Sequence, residues 1–203
     1  MASTNACNFY IRYLLKNFIA PSGLDDKLKI ISPHTFASHR PDMKKDLSRD
    51  LLDIFISRAV PGAQTLFLVP YCQGGHWMLI VVNPTKPRIG IMILFMGIQP
   101  IDHLWTLWLY RTNQALPCPL VKNGQFDDTF LWKKVKCPRH PKKSSYCGYC
   151  VMKFMKKIIM HNADTIPTQY FTNTYCTVYS SAQMEEIVEK LAMALFCQWA
   201  QNR

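Results

Sequence analysis

Between Thr65 and Met96 the hydrophobic pattern abandons the helical period. Two apolar runs of strand length, Thr65–Val69 and His76–Val82, are followed by a third, Ile89–Met96. They are separated by the turn-rich stretches Tyr71–Gly75 and Asn83–Pro87. The third run is apolar enough to be buried on both faces, which only a covered sheet allows. The flanking sequence supplies the cover. Cys7–Phe18 places Phe9, Ile11, Leu14, Leu15 and Phe18 at helical spacing and closes at Pro21-Ser-Gly. Leu28–Ile31 reads as a short strand, and Pro41–Ala59 as a second helix stopped by Pro61-Gly62. Beyond the sheet come a helix start at Leu104–Tyr110, a loop at Pro117–Asp128 and a strand at Phe130–Val135. A buried helix follows from Cys147. The last helix is capped by Ser180 or Ser181, with Glu185 expected as the capping-box partner. Helices, then strands, then helices predict an α+β domain spanning residues 1–203 as one unit.

Charge narrows the partners. Lys and Arg total 24 against 13 acids, a net charge of +11. The excess gathers late in the chain: Thr129–Met184 holds nine basic residues and one acid, Asp164. A solvated face is the plain explanation of such a run, and nucleic acid or an acidic protein the functional one. The most apolar run, Ile89–Ile98, contains Gly90 and Gly97 and is too short to cross a bilayer. Arg12 and Lys16 interrupt Phe9–Ala20, so no secretory apolar core forms. An intracellular protein with reduced thiols and no membrane contact is expected, despite eight cysteines.

The candidate chemistry centres on Cys147. From Gly148 on, Val151, Met152, Met155, Ile158 and Ile159 keep helical spacing, whereas the residues before Cys147 form a Pro-, Lys- and Ser-rich loop. A cysteine at that junction sits where backbone N–H groups and the helix dipole favour a thiolate. His76, after Gly74-Gly75 and before Trp77, opens a strand and is a partner for it. A Cys–His pair is the minimum for thiol nucleophilic catalysis. Spacing alone does not select that pair among six histidines and eight cysteines.

Two other readings compete. Cys147-Gly-Tyr-Cys150 is a CxxC at a helix start, with Pro167 as the proline of a thioredoxin-like loop; the interval between them is too short for that fold. Cys137-x-x-His140 with Cys147-x-x-Cys150 offers four soft ligands for zinc. The two pairs stand close together for a zinc ribbon, and Cys150 is expected to be a small apolar helix residue. No metal or cofactor is expected.

Two blocks of sequence bring these residues into a pattern. Val69-Pro-Tyr, His76-Trp-Met-Leu-Ile-Val-Val-Asn-Pro84, and Cys137-Pro-Arg-His-Pro with Cys147-Gly-Tyr-Cys-Val-Met-Lys-Phe-Met155 resemble the catalytic domain of the ubiquitin-like-protein (SUMO-type) proteases. Among these, the copies associated with plant transposable elements look most similar. Asn8–Leu15 looks like the family's first helix and Tyr179–Val188 like its last. The Trp-Leu-x-Asp-like approach before Asn8 is missing, as if the N-terminal edge were trimmed.

The resemblance implies a papain-like α+β fold, with a mixed or antiparallel central sheet between helices. It implies a cysteine peptidase or isopeptidase that cleaves a SUMO-type protein after its C-terminal di-glycine, and the nucleus rather than the cytoplasm. Carried over by residue, Cys147 is the nucleophile, His76 the general base and acid, and Trp77 the cover of the substrate cleft. The Cys147 N–H supplies part of the oxyanion hole. Two positions depart from the family pattern. Phe95 stands where the aspartate that orients the histidine belongs, and His140 where the oxyanion glutamine belongs, seven residues before Cys147. Losing the orienting carboxylate can cost about four orders of magnitude in rate. A lost oxyanion donor costs roughly 3 kcal/mol, and an imidazole N–H is expected to replace it in part. The alternative reading is a degenerate copy that binds a ubiquitin-like protein without turnover.

Overall fold

The computed structural model describes residues 2–37, 54–55, 57–60, 63–73, 76–82, 91–92, 132–133, 137–141, 144–161 and 178–200. Phe95, the expected helix over most of Pro41–Ala59, and the segments 104–110 and 117–128 lie outside them.

Helix α1 (Thr4–Leu14) starts at Ser3, whose Oγ accepts from the Ala6 N–H at 3.1 Å. Cys7, Tyr10, Ile11 and Leu14 are buried, the stripe of a helix with one apolar side. The helix widens into a π turn (Leu15–Ile19), tightens into a 3₁₀ turn (Ala20–Ser22) and stops at Gly23, where φ is 61°. That left-handed residue lets the Leu24 N–H reach back to the Ile19 carbonyl at 3.0 Å.

The sheet follows. Strand β1 (Leu28–Ile30) runs parallel to β2 (Leu66–Gln73), with Leu28 opposite Leu66. Between them lie a helical turn, α2 (His34–Ala37), and the helical residues Ile54, Phe55, Ser57 and Arg58, which end the segment expected as a helix. A parallel pair needs such a long crossover. Strand β3 (His76–Val82) returns antiparallel to β2, with Gln73 opposite His76 and Cys72 opposite Trp77. The turn-rich letters Tyr71, Cys72 and Gln73 read as a loop; they extend β2 instead, because their pairing with β3 runs on as far as Gln73 opposite His76. Short strands β4 (Ile91–Met92) and β5 (Trp132–Lys133) pair in parallel in a second sheet, inside the two regions expected as strands. The three-stranded sheet is mixed, as the α+β expectation allows.

Helix α3 (Cys147–His161) begins at the cysteine itself, and α4 (Ser181–Ala200) closes the described chain. Alternation along the strands sorts the core. Leu66, Leu68, Trp77, Leu79 and Val81 join one apolar cluster with α1, α3 and α4, while Phe67, Val69, Ile80 and Val82 are buried outside it. Phe55 covers Phe67 on that second side, ring edge to face at 4.9 Å. Part of the lysine excess is used internally. Lys153 Nζ lies 4.6 Å from the Tyr179 ring centre and Lys156 Nζ 4.8 Å from that of Phe18.

The entry to α4 corrects one expectation. Ser180 is the cap, but Gln183 is its partner: the Ser180 N–H donates to Gln183 Oε1 at 2.8 Å, and the Gln183 N–H to Ser180 Oγ at 3.2 Å. The reciprocal pair needs a three-residue spacing, which Glu185 does not have.

Candidate active site

The cysteine is where a loop becomes a helix, and the reason is local. Pro138 and Pro141 keep the preceding residues out of a helix, and the apolar period begins at Gly148. Helix α3 packs against β3, with Cys150, Val151, Phe154 and Met155 wholly buried. Its first N–H groups have no acceptor within the helix, and its first turn carries no acidic side chain. Cys147 therefore lies at the positive end of a helix, 2% exposed.

Gly148 fixes the junction with β3. A Cβ there would lie 3.1 Å from Trp77 Cδ1, 3.2 Å from Trp77 Nε1 and 2.6 Å from Ala2 Cβ. The Trp77 indole is buried and donates from Nε1 to the Ala2 carbonyl at 3.0 Å. Three stretches distant in sequence thus meet at the head of α3. Cys147 adjoins one member of the contact in the chain and His76 the other. His76 is half-buried, the first residue of β3 at the hairpin end of the sheet. The strand period puts it in phase with Met78 and Ile80, on the opposite side from the Trp77 indole.

Cys150 is a different kind of thiol. Burial pushes it up to about 12, and its S–H points at Met184 Sδ, 3.8 Å away. A thiol held so firmly protonated is a poor nucleophile and a poor exchange partner, which weighs against the CxxC redox reading. Among the described residues no three His, Cys, Asp or Glu side chains gather as a metal-binding group, so Cys137, His140, Cys147 and Cys150 do not form the zinc set weighed from spacing.

The loop ahead of Cys147 is tied down at both ends. Arg139 bridges to Val178 in parallel, with the Tyr179 N–H donating to the Arg139 carbonyl at 2.8 Å. Next to it His140 Nδ1 is 2.8 Å from the Pro141 carbonyl and 2.7 Å from Ser144 Oγ. Its Nε2 is buried and has no hydrogen-bond partner among the described residues. Sequence reading passed over Ser144 and the Ala2 carbonyl. A serine four residues after the histidine was the available signal for the first; nothing in the letters pointed to the second.

A strand opening with His-Trp therefore packs on a helix opening with Cys-Gly, beside a mixed sheet covered by helices. Solved structures share the overall fold. The chain superposes on a de-sumoylating protease with a TM-score of 0.63 at 12% identity, over 98% of this chain and 83% of that one. The fold is that of the Ulp1-like proteases. The Ulp1 protease domain, solved in complex with Smt3, the yeast ortholog of SUMO, matches with a TM-score of 0.56 at 12% identity, over 97% of this chain and 76% of that one. The Ulp1-like SUMO protease catalytic domain of Chaetomium thermophilum gives 0.55 at 16% identity, over 95% and 70%. No family model and no curated protein matches the sequence. The Ulp1-like fold is thus carried here by a sequence far from those of the solved structures that share it, and among the described residues no helix is long and apolar enough to cross a membrane.

Proposed function

We propose that the chain is a thiol peptidase of the SUMO-protease type, with Cys147 as nucleophile and His76 as its base and acid. Cys147 Sγ gives its proton to the imidazole and attacks the carbonyl after a di-glycine tail. The C–N bond breaks as the leaving amine takes that proton, and water then hydrolyses the thioester. The N–H groups at the head of α3 receive the oxyanion. Trp77 stands behind the cleft, seated on Gly148 at the head of α3, and no metal or cofactor takes part. The observation that carries this reading is the seating of Trp77 on Gly148, which joins the residues following His76 and Cys147 within an Ulp1-like fold.

A SUMO-type protein bearing a C-terminal electrophile tests it. Covalent capture on Cys147, abolished in Cys147→Ser and in His76→Ala, is the expected result. Capture that persists without His76 would remove the Cys–His mechanism. A second reading, a copy that binds a ubiquitin-like protein without turnover, is favoured by Phe95 at the place of the orienting carboxylate. Binding without capture, with capture appearing in Phe95→Asp, would establish that reading instead.

A further inference from the structure

The contacts around His140 determine which of its nitrogens carries hydrogen. Three polar atoms crowd together: His140 Nδ1 and Ser144 Oγ each approach the Pro141 carbonyl oxygen, at 2.8 and 2.7 Å, and lie 2.7 Å from one another. A carbonyl oxygen can only accept, so each visitor must bring a proton. Ser144 spends its one hydroxyl hydrogen there. Nδ1 must then be N–H, shared between the Pro141 oxygen and the Ser144 oxygen lone pair. The other tautomer would set an Nδ1 lone pair against a carbonyl at 2.8 Å. With hydrogen on Nδ1, the neutral ring presents Nε2 as a bare lone pair, and that atom is buried without a partner among the described residues. A buried acceptor left unserved is costly, which marks it as a place for a donor that arrives from outside.

We infer that Ser144, with the Pro141 carbonyl, is a positioning residue that locks His140 in the Nδ1–H tautomer, so that Nε2 accepts a hydrogen bond while the ring is neutral and donates one only as imidazolium. The group it takes when neutral is an N–H or O–H donor. This reverses the simple exchange of glutamine for an imidazole N–H: neutral His140 has no hydrogen on Nε2 to offer an oxyanion. For its bearing on catalysis the inference rests on the protease reading; for the tautomer it does not.

Long-range proton–nitrogen spectra of the intact, nitrogen-15-labelled chain test it, at a pH where the ring is neutral and with His140→Gln to assign the signals. The expected pattern is that of the Nδ1–H form, converting toward a mixture or the Nε2–H form in Ser144→Ala and restored in Ser144→Thr. A wild-type spectrum of the Nε2–H form overturns the proposal without any variant, and so does an unchanged pattern in Ser144→Ala. With a cleavable SUMO-type substrate, Ser144→Ala should raise kcat, by up to about tenfold with KM little changed, because it frees an Nε2–H that can donate to the oxyanion, and Ser144→Thr should return it to the wild-type value. A correct tautomer in a chain that cleaves nothing would count against the protease reading alone.

Discussion

Gly148 and Trp77 are in such close contact that a single added methyl on the glycine would stand 3.1 Å from the indole Cδ1 and 2.6 Å from the side chain of Ala2. The glycine is there for room, since its backbone is ordinary helix.

Gly148→Ala should therefore destabilise the fold, although alanine is the better helix former. The cost expected from overpacking is about 1–3 kcal/mol, read as a fall in the urea midpoint at unchanged slope. Because the shortest contact is with Ala2 Cβ, adding Ala2→Gly should return part of the loss, and the part that remains measures the clash with Trp77.

The two cysteines of the CxxC should behave oppositely. Cys150→Ala is expected to keep covalent capture by a tail-borne electrophile while lowering stability, since it removes a wholly buried sulfur packed on Met184. Cys147→Ser should abolish capture with little change in the melting curve. Loss of capture in Cys150→Ala at a temperature where that variant is folded would return the redox reading.

Alkaline stability follows from the buried thiols. Burial pushes both Cys7 and Cys150 up to about 12, from the ordinary value of 9.0. Between those values the unfolded chain releases protons that the folded one keeps. The stabilising effect is thus complete below pH 9 and is lost as pH rises toward 12. Lys153, whose ammonium burial pulls down, works in the opposite sense. Unfolding free energy should fall across that window, and less steeply in Cys7→Ala and Cys150→Ala, with cysteine ionisation followed by ultraviolet absorbance.

The start of α4 offers a direct comparison of two polar residues two positions apart. Gln183→Ala should cost about 1 kcal/mol, because it removes the acceptor for the Ser180 N–H. Glu185→Ala should fall within about 0.5 kcal/mol of neutral, as exposed positions away from caps do. Thermal melts of the two variants decide it.

Much of this architecture was legible in the letters, for reasons that differ by element. The period change at Thr65 located β2 and β3, because strands buried on both faces read as short unbroken apolar runs. The start of α3 at Cys147 followed from the prolines before it and the apolar stripe after it. The length of β2 did not, since Tyr71, Cys72 and Gln73 look like turn residues until the register across the hairpin counts them. Contacts made by groups every residue owns are hidden in a sequence altogether. The Ala2 and Pro141 carbonyls are such groups, and they fix the Trp77 indole and the His140 ring. The capping partner failed by spacing: Glu185 is the commoner residue type for the role, but Gln183 stands at the right distance.

The docking of α3 on Ala2 and Trp77 has a consequence during synthesis. The head of the cysteine helix is held by pieces separated by most of the chain, so a ribosome must have made α3 before that packing can form. Until then Cys147 lies on an unplaced segment. On the peptidase reading, nascent or truncated copies that stop short of α3 carry no nucleophile, and those that stop within it lack the packing to aim one. On that reading, latency in unfinished chains is built into the order in which the parts appear.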